Sequence, residues 1–524
     1  MTRSAPGPTV QAAPAGEGRG HRSVGPRWLL AIVLAATSMQ SVDTAIANVA
    51  LPSIRRDLHA AGGALVLVSS AYTLAYGCSL ITGAALGARF GYRRLFLCGM
   101  AIFTVASALC SLAPDPAFLI GCRFLQGLGS GCMAPQTFSV IQAVFQGTAR
   151  TRAMSIFGIV VGVASVFGPP AGGLILGVDG LGIGWRMIFL VNVPIGLVVL
   201  ATAWRFLRVP QVRVPRGFDL VGALLFTVGV VLLVYPLAVG RQDGWPGWSV
   251  ALLAASPMVL ALAVGQQILR RERGKEPLVE LGLLRVQSLR RGLLLVVAFF
   301  MGTSPYFFIQ PLYLQVGLGH TPLAAGLAAI PFSVTCALGS RWVGRASARF
   351  GRSLLVVGAL GMLVQDALLF LVAGTHGPGL WEISLPLAFG GFAYGVFFAA
   401  CYAYTLGDVP VGSAATASGF LPTVQQVAGS VGTALVGMVF FAALGTTSPG
   451  TGAPGGDPSA GYATGFRHGL VVEAALHLVA ALLALGVPRR TRVAGPPDRQ
   501  GSGRRGSGRR GSDEAGLEAG LAAP

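Results

Sequence analysis

Fourteen apolar stretches, each long enough to cross a hydrocarbon core of about 30 Å, divide this chain into gaps, and its basic residues fall almost entirely into every second gap. If the first gap lies inside, Arg55, Arg56, Arg186, Arg241 and Arg467 are the exceptions among the 38 Lys and Arg, and Arg123 alone lies within a span. Short cytoplasmic loops retain positive charge because of the inside-negative potential and anionic lipid, so a wrong alternation of spans scrambles the arginines. The pattern predicts fourteen transmembrane helices with both termini cytoplasmic, a multi-pass protein of the cell membrane.

With 53% hydrophobic and 11% charged residues and a mean hydropathy of +0.69, the chain is too apolar for a soluble protein of this length. The formal charge of +19 lies in short loops and a tail, without the aromatic interleaving of a nucleic-acid surface, which excludes that class. The seven cysteines sit in or beside apolar runs with no C-x-x-C spacing and read as small core residues. The first apolar run, from Trp28, is too long for a signal-peptide core and is expected to stay as a helix.

Residues 28-210 hold six spans, 217-291 hold two further spans and the most charged internal loop, and 292-490 hold six more. The tails, 1-27 and 491-524, are rich in Gly, Pro, Ser and Arg, and are expected to be disordered. Ala88-Arg89-Phe90-Gly91 recurs as Ala348-Arg349-Phe350-Gly351, each time between the second and third spans of a six-span half. The fold class that follows is an all-α integral membrane protein of two six-helix halves plus two inserted helices. Parallel halves around a midplane cavity are a transporter architecture.

Asp43 lies about fifteen residues into the first span, where an aspartate costs about 2.5–3.5 kcal/mol on insertion scales. A carboxylate there changes protonation with its surroundings, as proton coupling requires; the plainer reading ties it to Gln40, Thr44 and Asn48 as helix glue. Arg123, at similar depth in the fourth span, is a permanent positive partner for a carboxylate or an anionic substrate group, or alternatively snorkels to the outer headgroups.

Four runs carry a resemblance: Val42-Asp43-Thr44-Ala45-Ile46-Ala47-Asn48-Val49-Ala50-Leu51-Pro52, Arg123-Phe124-Leu125-Gln126-Gly127, Gly168-Pro169-Pro170-Ala171-Gly172-Gly173, and Trp185-Arg186-Met187-Ile188-Phe189-Leu190-Val191-Asn192-Val193-Pro194-Ile195-Gly196. In this order they resemble signatures of the major facilitator superfamily, and more narrowly of its fourteen-helix drug:proton antiporters, from about Trp28 to Arg490. The resemblance implies a major facilitator fold. It also implies proton coupling through Asp43 and Arg123, and an antiport-associated motif at Gly168, Pro169, Gly172 and Gly173. Independently, glycines let helices approach closely and Pro169 permits a bend.

One position departs from the family pattern. In the loop after the second span an acid usually precedes the Arg-x-Gly, and here Ala88 stands before Arg89, Phe90, Gly91, Tyr92, Arg93 and Arg94. An inter-half ion pair from that acid is therefore absent, leaving Arg89, Gly91, Arg93 and Arg94 as a loop motif whose arginines can cap helix C-termini.

In the second half, Asp366 lies mid-span, while Glu473 and His477 sit at i, i+4 on the last span. Asp366 is a candidate second proton site or a contact for a cationic substrate, against a helix contact with Gln365 nearby. Glu473 is a candidate of the same kind, set against an interfacial position near the outer end. Tyr306, Phe307, Phe308, Tyr313, Tyr394, Phe397 and Phe398 offer either an adaptable cavity lining or core packing.

These readings converge on a proton-coupled secondary transporter exporting amphipathic drug-like compounds, as in multidrug or antibiotic efflux. Its partners are the small-molecule substrate, protons and the lipid bilayer. The chain lacks G-x-x-x-x-G-K-[ST], so no ATP is called for, and neither a cofactor nor enzymatic activity is expected. Export or uptake of a single metabolite stays open on the same fold, as does a sensor that translocates nothing.

Overall fold

In a hydrocarbon solvent every backbone N–H and C=O must be satisfied within its own segment, and the described residues accordingly build helices. The computed structural model describes residues 26–178, 182–207, 219–240, 244–275, 281–374, 377–409, 414–447 and 458–487. The two tails proposed as disordered lie outside them, apart from the last two residues of the first.

The first six helices are α1 (Pro26–Asp57), α2 (Gly62–Phe90), α3 (Tyr92–Ser111), α4 (Pro116–Val144), α5 (Gly147–Val178) and α6, which begins as a turn at Gly184–Arg186 and runs to Phe206. The inserted pair is α7 (Leu220–Val239) and α8 (Gly247–Glu272). The second set is α9 (Gln287–Leu312, continued by one π-helical turn, Tyr313–Gly317), α10 (Pro322–Ala328, continued by Ile330–Phe350), α11 (Ser353–Val372), α12 (Leu380–Leu406), α13 (Ala414–Thr447) and α14 (Pro458–Leu485). Among the described residues thirteen of these carry a window long and apolar enough to cross a membrane, and α5 is a 32-residue helix that includes the apolar stretch Phe167–Val178. Large apolar side chains point outward along them, among them Met258 and Trp204 at 74% and 70% exposure, as a lipid-facing surface requires.

Helices α1 to α6 pack mainly on one another, as do α9 to α14; the two sets meet where α2 runs along α13 and where α5 runs along α10. Helix α7 packs on both α2 and α13 and carries α8, so the inserted pair is attached along one of these seams.

Two sequence expectations gain a physical reason. Phe90 and Phe350 each end a helix, and the following Gly91 and Gly351 have φ of 104° and 48°, a left-handed region open to glycine at little cost. The repeated tetrapeptide is thus a helix stop used twice, and Arg89 and Arg349 each lie over the ring that follows, at 5.3 and 5.5 Å. Arg93 donates to the Trp204 carbonyl oxygen in the last turn of α6, where helix carbonyls lack partners, while Arg89 and Arg94 are exposed.

Other expectations shift. Helix α14 begins at Pro458, so Arg467 belongs to a helix rather than a loop and lies 4.1 Å over the Phe370 ring. Of the cysteines, Cys98 is exposed, Cys132 and Cys336 are half-buried, and only the other four are core residues.

Small residues set the helix spacing. A Cβ at Gly127 of α4 would collide with the Tyr72 carbonyl oxygen of α2, and one at Gly129 would lie 2.7 Å from the Phe103 amide nitrogen of α3. Dispersion contact, not the hydrophobic effect, holds helices together in lipid, so such approaches carry the packing. Gly127→Ala is expected to destabilise the bundle by about 1–3 kcal/mol, read as a lower unfolding midpoint in detergent, whereas alanine at Gly121, which has no neighbour within 4 Å, should leave it unchanged.

Candidate functional site

The structure brings Asp43 and Arg123 together inside the first set of helices. Asp43 is 0% and Arg123 1% exposed, and Arg123 Nη1 donates to Asp43 Oδ2 at 2.8 Å. The other carboxylate oxygen, Oδ1, accepts from Gln126 Nε2 at 2.9 Å and Asn192 Nδ2 at 2.6 Å. Gln126 also donates to Ser107 Oγ at 2.7 Å and accepts from Arg123 Nη1 at 2.7 Å. Arg123 Nε reaches the Val68 carbonyl oxygen at 3.3 Å, and its guanidinium lies 4.4 Å from the Tyr72 ring centre and 5.6 Å from that of Phe189. A buried charge is tolerated only when paired and hydrogen-bonded; here the two charges pair, both carboxylate oxygens have donors, and the guanidinium is bonded through Nε and Nη1.

Beyond each other, the partners of these two residues are not the ones that the sequence offered. Of the nearby polar groups, Thr44 donates to the Gln40 carbonyl oxygen and Asn48 accepts from Ser69, so neither serves Asp43. Arg123 does not snorkel, because its guanidinium is enclosed by α1, α2 and α6. Sequence reasoning did not single out Gln126, Asn192 and Ser107 as site residues, although the first two stood inside the quoted runs. The signal was an amide three residues after Arg123, on the same helix face.

How α6 reaches the site follows from its first turn. Trp185 Nε1 donates to Asp57 Oδ2 at 2.9 Å, Arg186 Nη1 to the same oxygen at 2.5 Å, and Arg186 Nη2 to the Ala113 carbonyl oxygen at 3.2 Å. These contacts fix the start of α6 against the ends of α1 and α3, and Asn192 falls beside Asp43 less than two turns later.

The Gly-Pro motif packs on the stretch of α1 that carries Asp43. A Cβ at Gly168 would lie 2.6 Å from Ala45 Cβ, and one at Gly172 would lie 3.0 Å from Ile46 Cβ. The opposite face of α5 meets the second set: a Cβ at Gly173 would lie 2.6 Å from Leu323 Cα, and one at Gly326 would lie 2.7 Å from the Pro169 carbonyl carbon. Helix α5 therefore lies between the Asp43 segment of α1 and the first turns of α10. At the arginine-poor end the sets are also latched by Arg55 donating to the Tyr462 hydroxyl and by Gln315 Nε2 donating to the Val49 carbonyl oxygen at 2.8 Å. Nearer the middle, Thr73 and Ser430 hydroxyls are 2.7 Å apart.

The second set holds its own buried polar group. Asp366 Oδ2 lies 2.6 Å from His477 Nδ1, and His477 Nε2 lies 3.0 Å from Thr303 Oγ1. Glu473 is 0% exposed and does not sit at an interface: with α14 starting at Pro458, it lies about 22 Å along the helix. Of the aromatics, Tyr306, Phe308, Tyr313 and Phe397 are core residues, Phe397 stacking on Phe299 at 3.8 Å. Tyr394 and Phe398 are half-buried along one face of α12, with ring centres 6.0 Å apart.

A model of the Major Facilitator Superfamily matches residues 33–433. The chain belongs to the major facilitator superfamily. It is 37% identical over 428 residues to the probable actinorhodin transporter of Streptomyces coelicolor, covering 80% of this chain and 73% of that protein. It is 31% identical over 408 residues to the multidrug resistance protein Stp of Mycobacterium tuberculosis, covering 78% and 74%. Among solved structures, the bacterial homolog of the human lysosomal transporter Spinster, inward-facing and unoccupied, superposes with a TM-score of 0.67 at 16% identity, covering 88% of this chain and 96% of that one. That likeness concerns the fold.

Because Asp43 and Arg123 neutralise each other away from water, losing one strands the other. Asp43→Ala is expected to cost about 3–5 kcal/mol of stability, and Asp43→Ala combined with Arg123→Leu should cost less than the sum of the two single changes. Equilibrium unfolding of the four proteins in detergent measures the coupling; additive costs would show that the pair is not a unit.

Proposed function

We propose that this protein is a proton-coupled antiporter that exports amphipathic, drug-like compounds across the cytoplasmic membrane. The observation that carries the reading is the buried Asp43–Arg123 pair beside the α5 contact that joins the two sets of helices. The relatives named for actinorhodin transport and multidrug resistance support the substrate class. The positive-inside bias supports a cytoplasmic arginine-rich end and, with it, cytoplasmic termini.

When Asp43 takes up a proton, its charge is lost and with it the attraction to Arg123. The guanidinium cannot lose its own proton and must find other acceptors. The rearrangement begins in α1 at residues 42 to 46, against which Gly168 and Gly172 are packed without side chains to cushion a shift. It passes through α5 to α10, so protonation and the relative tilt of the two sets are linked. Each proton returning down 100 mV supplies about 2.3 kcal/mol, and each pH unit about 1.4 kcal/mol, enough together for several-hundred-fold accumulation of a neutral compound. The chain's own residues provide the whole device, with the proton as coupling ion, no cofactor or ATP, and no catalytic step on the substrate.

Inside-out vesicles given a proton gradient should take up a fluorescent lipophilic cation with wild-type protein and fail to do so with Asp43→Asn or Arg123→Ala, at equal amounts of inserted protein. Gradient-driven uptake by Asp43→Asn at the wild-type rate would remove Asp43 from the coupling. Gly326→Val, which places methyl groups on the Pro169 carbonyl, should slow exchange at least tenfold. Exchange at the wild-type rate in that variant would show that the α5–α10 contact does not move during the cycle.

A further inference from the structure

The second set of helices contains a group of ionisable residues that the Asp43 mechanism does not use. The Thr303 hydroxyl gives its one hydrogen to the Phe299 carbonyl oxygen at 2.9 Å, so toward His477 Nε2 it acts as the acceptor. Nε2 therefore carries a hydrogen. On the other side of the ring Nδ1 lies 2.6 Å from Asp366 Oδ2. A bare ring nitrogen facing a bare carboxylate oxygen at that distance is repulsive, so one further hydrogen lies between them. The pair is imidazolium with carboxylate or imidazole with carboxylic acid, and it is neutral either way. Gly302 admits this approach, since a Cβ there would lie 3.0 Å from Nε2.

Glu473, one turn away on α14, is closed off from bulk solvent, and among the described residues no donor reaches either of its carboxyl oxygens; Asp366 Oδ1 and the Tyr306 hydroxyl are likewise without a partner there. Across from it on neighbouring helices, the ionisable groups that act on it are Asp366 of α11 and Tyr306 of α9. On its own helix, His477 is engaged with Asp366, and Arg467, nearly two turns toward the helix start, lies over Phe370. An ionised carboxylate with no donor, next to a second acid and out of reach of a free cation, has nothing to hold its charge.

We propose that Glu473, Asp366 and His477 form a second proton-binding site in the C-terminal half, holding two protons in this arrangement: one between His477 Nδ1 and Asp366 Oδ2, the other on Glu473. When a change of tilt lets water reach α14, the Glu473 proton passes to that water and leaves a hydrated carboxylate; closure requires a proton to be taken back from the facing side. The site deepens the antiport reading, on which it rests for its role in the cycle. It assigns the two acids to proton carriage and not to binding a cationic substrate.

Infrared spectroscopy of the full-length protein in lipid tests it directly. At neutral pH the wild type should show the carbonyl band of a protonated carboxylic acid. Growth on glutamate carrying carbon-13 in its side-chain carboxyl should shift that band, and Glu473→Gln should remove it. Glu473 is the only glutamate that is buried among the described residues, so the isotope shift assigns the band without relying on a variant's folding. If no band both shifts with the label and disappears in Glu473→Gln, the proposal is overturned; a band from Asp366 would do neither. The band should persist in Asp43→Asn, so this result stands or falls apart from the first site. In vesicles, the limiting accumulation of a neutral substrate should fall about tenfold per pH unit of imposed gradient in Glu473→Gln, as loss of one coupled proton requires. An unchanged dependence on the gradient, with weaker binding of cations, would reassign Glu473 to the substrate.

Discussion

Burying the Asp43 carboxylate is the constraint around which the first half is arranged. A charge at that depth is stable only with a partner and further donors, and these arrive from two other helices: Arg123 and Gln126 from α4, and Asn192 from α6. Each of those side chains is then fixed in turn. Gln126 is held by Ser107 of α3, and Arg123 by the Val68 carbonyl and the Tyr72 ring of α2. Five of the first six helices are thereby tied to one ion pair, so a change in its protonation cannot remain local.

The sixth, α5, contributes no polar group to that network among the described residues and meets it through absence of bulk. Gly168 and Gly172 put backbone directly on the α1 residues flanking Asp43, and Gly173 with Gly326 does the same between α5 and α10. Helices in such contact have no flexible side chain between them to absorb a small displacement. A tightly packed seam therefore transmits motion where a looser one would dissipate it. The inserted pair, by contrast, rides on the other seam through α7, away from this route.

The two halves handle buried acids by opposite means. In the first, a permanent cation meets the carboxylate and every oxygen finds a donor. In the second, the base beside the acids among the described residues is His477, which can give its proton up, and no described donor reaches Glu473. A site with a fixed cation compensates a charge, while one with a titratable partner stays neutral by moving protons. The tetrapeptide repeat shows that the halves share a backbone plan down to the glycine that stops α2 and α10, yet their buried chemistry has diverged.

Sequence alone determined the class of fold and the depth of its charged residues, because bilayer thickness fixes helix length and the cost of charge in lipid makes each intramembrane acid conspicuous. Residue type at depth also marked Asp43 and Arg123, whereas the α5 glycines were marked by the family resemblance, small residues being common in any helix contact. It did not reveal that Gln126 and Asn192 complete the Asp43 site, because an amide in an apolar run carries no charge penalty to draw notice. Nor did it place Glu473 correctly: α14 starts at Pro458, and the weakly apolar turn before residue 468 gave no sign of continuing the helix. The pairing of Asp366 with His477, 111 residues apart, rests on α11 and α14 lying side by side. Periodicity shows which face of a helix is polar; only packing decides which other helix that face meets.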